Sequence, residues 1–312
     1  MLKIILSRLA TSIPTVLIVL TLIFVLVRVV PGDPMTSMLG DQATPQVAEA
    51  MRAQLGLNRP LIVQYWDFMS GIVVGDFGVS MMTKQPVSEI IAAALPHTID
   101  LTIAALLVGV VLGVPAGVYM ATYRNGFIDA IGRFLTLLGL SFPVFVWAII
   151  FLFAFSINWR IFNVIGTPDI ESYSSRLYMV VLPALSLGGV MACYVAKITR
   201  GAMIGSLEQD FVRTARAKGM NRNSIIWNHA LRNASLPVIT IVGLYVGTMI
   251  GNSVLTEIVF NRPGIGKLIM NSLTQRDYTV LQGLMAIYCI SVILVNLVTD
   301  IAYSIADPRV TA

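Results

Sequence analysis

Charge is scarce in this chain. Asp, Glu, Lys and Arg make up 12% of its 312 residues, against 56% hydrophobic residues. Soluble globular domains carry about a quarter charged residues, so a water-soluble fold is excluded and the class is integral membrane. Cysteine is nearly absent: Cys193 and Cys289 both sit inside apolar runs. That excludes a disulfide framework and a cysteine metal site, and each thiol reads as a small hydrophobe. Histidine is as rare. His97 and His229 form no His-Glu-x-x-His pair, so the commonest zinc-hydrolase pattern is missing. A Gly-x4-Gly-Lys-Ser/Thr phosphate loop is also missing. Its nearest imitation, Gly264-Ile-Gly-Lys-Leu268, lacks the hydroxyl that holds magnesium and is expected to be a turn. No nucleophile triad is visible. The net charge of +5 is read as basic loops beside a membrane rather than as a nucleic-acid surface.

Long apolar runs fill the rest. The first covers residues 9–30, about 22 residues or about 33 Å of helix, enough to cross a bilayer. It ends in Val-Val-Pro-Gly-Asp-Pro, not in the small residues of a signal-peptide cleavage site, and so reads as a retained first helix. Arg28 near its outer end is placed to snorkel to the head groups. Further runs cover residues 98–123, 134–157, 178–198, 237–258 and 280–304. Segments in lipid must satisfy their own backbone groups, so the expected fold is all-α, with six transmembrane helices. The short loops carry more Lys and Arg on the side of the N-terminus, which puts both termini in the cytoplasm. The chain then divides into a first transmembrane helix (1–30), an extracytoplasmic helical insertion (31–96) and a five-helix core (97–312) with a cytoplasmic loop at 200–236.

Small residues recur every four positions at Gly109, Gly113 and Gly117, and again at Gly243, Gly247 and Gly251. Such stripes serve close helix packing, within one subunit or between subunits. Pro115, Pro143 and Pro183 are expected to kink their spans. In the insertion, Thr44 and Pro45 open a helix that Gly56 ends, with Val47, Met51 and Leu55 on one face. A second helix follows Asn58-Arg59-Pro60 and aligns Leu61, Ile62, Tyr65, Phe68, Met69 and Ile72. Gly75-Asp76-Phe77-Gly78 reads as a turn. These helices form a lid on the bundle or a platform for a soluble outer partner.

The basic loop at 205–237 has the clearest local signals. Ser206 and Gln209 fit a capping box. Glu208 and Asp210 fall in a first turn, Arg213, Arg216 and Lys218 in a last turn, and Gly219 marks the stop. Leu207, Phe211 and Ala215 share a face. A second helix is expected from Asn223 through Ile226, Trp227, Ala230 and Leu231, with Pro237 opening the fifth span. The pair reads equally as a lipid anchor or a protein-docking surface. Within the spans, Asp100, Ser141, Asn252, Ser253 and Glu257 are the candidates for a translocation pathway, beside Asn296 and Asp300. Asp100 and Glu257 lie near span ends and are expected to be hydrated, while Asp300 is expected to face protein or water.

Asp210-Phe-Val-Arg-Thr-Ala-Arg-Ala-Lys-Gly219, followed by His229-Ala-Leu-Arg-Asn-Ala and Leu236-Pro237, resembles the cytoplasmic loop of ABC importer permeases. The likeness is closest to the dipeptide/oligopeptide permease family, which includes glutathione and nickel permeases. It continues in Pro31-Gly-Asp-Pro34, Gln54-Leu-Gly-Leu-Asn-Arg-Pro60, Gly75-Asp-Phe-Gly-Val-Ser80, Phe260-Asn-Arg-Pro-Gly-Ile-Gly-Lys-Leu268 and Asp307-Pro-Arg309. Arg213-Thr214-Ala215 stands where the general loop has Glu-Ala-Ala. The resemblance implies a non-catalytic subunit of a bacterial inner membrane that binds no cofactor or metal itself. It implies a second, homologous permease, two ATPases that hold ATP and magnesium, an extracytoplasmic peptide-binding protein and no nucleic acid. Glu208, Asp210, Phe211, Arg213, Thr214, Ala215, Arg216 and Gly219 would form the surface that an ATPase pushes. Di- or oligopeptides lead as cargo, ahead of glutathione and nickel chelates. An ion-gradient-driven transporter is the reading from a different class; it needs midplane ion sites in internal repeats, and no clear repeat is seen.

Overall fold

A computed structural model describes residues 2–29, 45–54, 56, 58–162 and 173–306. Pro31-Gly-Asp-Pro34, Thr44, Leu55 and Asp307-Pro-Arg309 lie outside the described residues. The described chain is helical, with one isolated bridge between Val79 and Pro86. In order come α1 (Leu2–Val29), α2 (Pro45–Gln54), α3 (Leu61–Val74), α4 (Val87–Thr122), α5 (Phe127–Ser141), α6 (Val144–Asn158), α7 (Tyr173–Leu207), α8 (Asp210–Ala217), α9 (Arg222–Val259), α10 (Ile265–Thr274) and α11 (Tyr278–Ala306). Among the described residues five helices are each long and apolar enough to cross a membrane, and the bent pair α5 and α6 brings the number to six if it counts as one span.

Two compact units emerge. One holds Thr98–Arg262 and the chain from Val295 onward; the other holds Leu2–His97 and Pro263–Leu294. The first is built on α7. Leu101 and Ala105 of α4, Leu187, Met191 and Val195 of α7, and Val238 and Met249 of α9 form its largest buried cluster. The glycine stripe of α4 faces α7 within this unit. A Cβ at Gly113 would stand 2.7 Å from the Ala192 carbonyl oxygen, and one at Gly117 would stand 2.6 Å from that of Ala196. The stripe therefore serves packing within the chain.

The third span departs from expectation. Pro143 was expected to kink a single helix over 134–157, but α5 and α6 meet at 102°. The residue before a proline is pushed out of the helical region. Phe142 accordingly takes φ −113° and ψ 144°, ending α5, and Pro143 opens α6. Elsewhere the helix runs on through proline: Pro183 lies inside α7 and Pro237 inside α9. Pro237 thus does not open the fifth span. That helix starts fifteen residues earlier, at Arg222, where the Asn221 side chain accepts the Asn223 N–H at 3.0 Å. It runs on through a π-helical stretch at Ile225–Ala230.

In the second unit, α3 packs on α1. The rings of Phe24 and Tyr65 meet edge to face at 5.4 Å, and Thr21 and Tyr65 share a hydroxyl hydrogen bond of 2.9 Å. Phe68, Met69 and Ile72 cover Leu20 and Ile23, while Leu61 and Ile62 stay exposed. Gly75 ends α3 with φ +77°, a left-handed stop that glycine takes without strain. Gly264 is the N-cap of α10, so Gly264-Ile-Gly-Lys-Leu268 begins a helix rather than a turn. Ile265 supplies the reason, since it is buried against Val87 and Leu284. Asp277 precedes α11 and is buried. It accepts the Ser80 hydroxyl at 2.5 Å and the N–H groups of Met81, Met82 and Val280 at 3.3 Å, fixing the loop before α4 to the start of α11.

Candidate functional site

The loop between α7 and α9 is a short helix with two unlike faces. Val212 and Ala215 of α8 are buried and pack on Ile225, with Phe211 at the edge of the cluster. Arg213, Thr214 and Arg216 are exposed. Arg213 reaches Asp210 one turn back at 3.4 Å, in an ion pair open to solvent, and the Thr214 hydroxyl donates to the Asp210 carbonyl. Gly219 follows α8 with φ +71°, and its N–H donates to the Arg216 carbonyl at 3.0 Å. The expected stop is where the sequence puts it.

The expected start is not. Gln209 is the N-cap of α8 and makes no side-chain capping bond, so Ser206-x-x-Gln209 is not a capping box. Ser206 is still inside α7, buried, and its hydroxyl donates to the Ala230 carbonyl at 2.9 Å. Asn233 donates to Gln209 at 3.2 Å. The first bond ties the end of α7 to α9 and the second ties the start of α8 to α9, so α8 is a stiff bracket and not a free flap. A groove of about 420 Å³ borders it, lined by Leu207, Arg216, Met220, Arg222 and Ile225.

Two ion pairs join the α4–α5 segment to α7 and the residue just past its end. Arg124 meets the exposed Glu208 at 2.6 Å. Asp129, fully buried on α5, takes a two-pronged bond from Arg200 of α7 at 2.6 and 2.8 Å, accepts the Asn125 N–H at 3.0 Å and has Arg133 at 3.7 Å. A fork of two parallel bonds fixes orientation as well as distance. The exposed pair contributes little, because solvent screens it. The Asp129–Arg200 clamp is the structural one. The sequence reading missed it; an aspartate four residues before Arg133 in an otherwise apolar stretch was its one local signal.

The five candidate pathway residues differ in their surroundings. The Glu257 carboxylate is fully buried on α9, not hydrated as expected, and accepts the Thr98 hydroxyl of α4 at 2.7 Å. Asp100 on α4 stands 3.8 Å from Arg262, with 35% of its side chain exposed. Ser253 is buried and bonded to its own helix at Ile250. Asn252 is half-buried, and Ser141 is exposed at the end of α5, bonded to the Leu137 carbonyl. Asp300 lies on α11, outside the residues whose side chains are described. No group of three or more His, Cys, Asp and Glu able to hold a metal occurs among the described residues.

Residues 113–312 match the family described as binding-protein-dependent transport system inner membrane component. Residues 1–102 match its N-terminal counterpart. This chain is a member of that family. It is an ABC importer permease of the peptide and glutathione branch, an inner-membrane component that crosses the bilayer several times. The permease is 38% identical over 310 residues to the glutathione transport system permease protein GsiC of Salmonella choleraesuis, with 99% of each chain covered. It is 37% identical to GsiC of Escherichia coli strain K12 over the same span. Its fold also matches a chain of the MetNI methionine ABC transporter, with a TM-score of 0.55 and 17% identity over 70% of the permease and 96% of that chain. That likeness speaks to fold alone.

Proposed function

We propose that this permease pairs with a homologous permease to enclose the pathway of an ATP-driven importer for short peptides, with glutathione the favoured cargo. Cytoplasmic ATPases bind and hydrolyse ATP, a binding protein delivers cargo on the other face, and this chain does no chemistry. Both termini and α8 face the cytoplasm, in keeping with the basic residues Arg213, Arg216, Lys218 and Arg222 in and just after α8.

The observation that carries this reading is the division of α8 into a buried and a bare face. Val212 and Ala215 fix it to the bundle, while Arg213, Thr214 and Arg216 are left for a partner. A push on that face would reach α7 and α9 through Ser206 and Asn233, and α5 through the clamp on Asp129. A rigid bracket transmits displacement where a loose loop would absorb it. Asp100, Ser141 and Asn252 retain open surface and are the residues we expect to meet cargo. Glu257 ties α9 to α4 at Thr98, and Ser253 is bonded within α9.

Full-length identity to permeases of glutathione transport systems favours glutathione over other di- and oligopeptides as cargo. Glutathione is itself a short peptide with two free carboxylates, so a wide, weakly polar path suits both classes. The test is uptake of labelled glutathione and of a labelled dipeptide into right-side-out membrane vesicles, with and without internal ATP and with an ionophore. ATP-dependent glutathione uptake that unlabelled dipeptide does not displace is expected. Uptake that follows an ion gradient and ignores ATP would overturn the reading.

A further inference from the structure

Arg28 is a cation that the coupling mechanism does not use. It sits at the C-terminal end of α1, within the second unit. It does not extend freely toward head groups, as its position in the sequence suggested. Its guanidinium folds over the Phe24 ring at 5.3 Å, and its Nε is buried with no hydrogen-bond acceptor among the described residues. Gln282 of α11 is 8% exposed, and its Nε2 likewise lacks an acceptor there. Both side chains line one cavity of about 350 Å³, a volume within the range of small-ligand pockets.

The described carboxylates of the cavity wall are engaged elsewhere. Asp67 is taken up by Arg59 at 3.1 Å, and Asp76 accepts the Gly78 N–H at 2.9 Å. The nearby carboxylates are thus engaged by other groups. A buried donor without an acceptor is destabilising by about 1–3 kcal/mol, and more for a charged one. Two such donors in one cavity wall, one of them cationic, are unusual in a settled core. Phe68 and Ile72 supply an apolar wall beside them.

We propose that this cavity binds the oxyanion end of a small amphiphilic molecule, with Arg28 as its cation and the Gln282 amide as a second donor. A phosphate and a carboxylate share that chemistry. The first would come from a lipid head group and the second from a peptide terminus.

The test uses the full-length permease purified in detergent. Its thermal midpoint is titrated with glycerol 1-phosphate, with glycylglycine, and with glycylglycinamide as the control that lacks a carboxylate. One of the two acids is expected to raise the midpoint of the wild type while the amide does not, and the acid that acts names the source. Arg28→Gln should weaken the apparent affinity at least about tenfold, since it removes one charge-assisted bond. Arg28→Lys should retain part of it. Gln282→Leu should weaken it by a smaller factor, and that variant decides the matter if Arg28→Gln does not yield folded protein. No response to either acid in the wild type, or an equal response in wild type and variants, overturns the proposal.

Discussion

The Asp129–Arg200 clamp gives the sharpest test of how the bracket is held. Asp129 has no exposed side-chain surface, and Arg200 keeps 21% of its own. Removing one partner of a buried pair leaves an uncompensated charge, which is destabilising by about 3–5 kcal/mol. In Arg200→Ala the carboxylate keeps the Asn125 N–H and the more distant Arg133. The lower end, about 3 kcal/mol, is therefore expected. At about 2–4 °C per kcal/mol for a chain of roughly this size, the thermal midpoint falls by about 6–12 °C. Asp129→Ala should cost about as much, because it strands Arg200. The double variant should lose less than the sum of the two by at least about 1 kcal/mol, since it removes both charges together. The assay is thermal unfolding of the four forms in one detergent, followed by size-exclusion fluorescence. Additive losses, or single variants within about 0.5 kcal/mol of wild type, would refute the argument that the clamp is a coupled buried pair.

Three further outcomes are expected. Gly219→Val should lose about 1–2 kcal/mol at the end of α8 through its positive φ alone, because a Cβ there meets nothing within 4 Å; co-purification with the ATPases should fall, and unchanged co-purification would count against it. Charge reversal of Arg213 and Arg216 together should leave membrane insertion intact, abolish uptake and leave ATP hydrolysis running, measured in reconstituted vesicles. Gly113→Ala should be destabilising by about 1–3 kcal/mol, because its Cβ meets the Ala192 carbonyl oxygen and Val195, whereas Gly189→Ala on α7, with nothing within 4 Å, should be neutral by the same thermal assay.

What the sequence made legible was local. The apolar runs name the spans, because hydropathy over about twenty residues needs no knowledge of neighbours. Gly219 marks the end of α8 because only one turn is involved. Misreadings arose where a side chain has two possible partners. Ser206 fits a capping box on paper, yet its hydroxyl goes to Ala230, twenty-four residues away. The beginning of α4 at Val87 was missed because Pro96, His97 and Asp100 break the hydropathy of a helix that is structurally continuous. Pro143, Pro183 and Pro237 look alike in sequence, but the helix breaks at the first, with a bend of 102°, and continues through the other two. The polar tethers were least legible. Arg200 finds Asp129 across 71 residues and Ser80 finds Asp277 across 197, and nothing in the local pattern pairs them.

The measurement that bears most directly on the central claim is site-specific photo-crosslinking from positions 213 and 216 in intact membranes. The account predicts adducts with an ATP-hydrolysing subunit, whose yield changes when ATP is replaced by ADP. Adducts only with lipid, or only with a soluble protein on the opposite face, would contradict it.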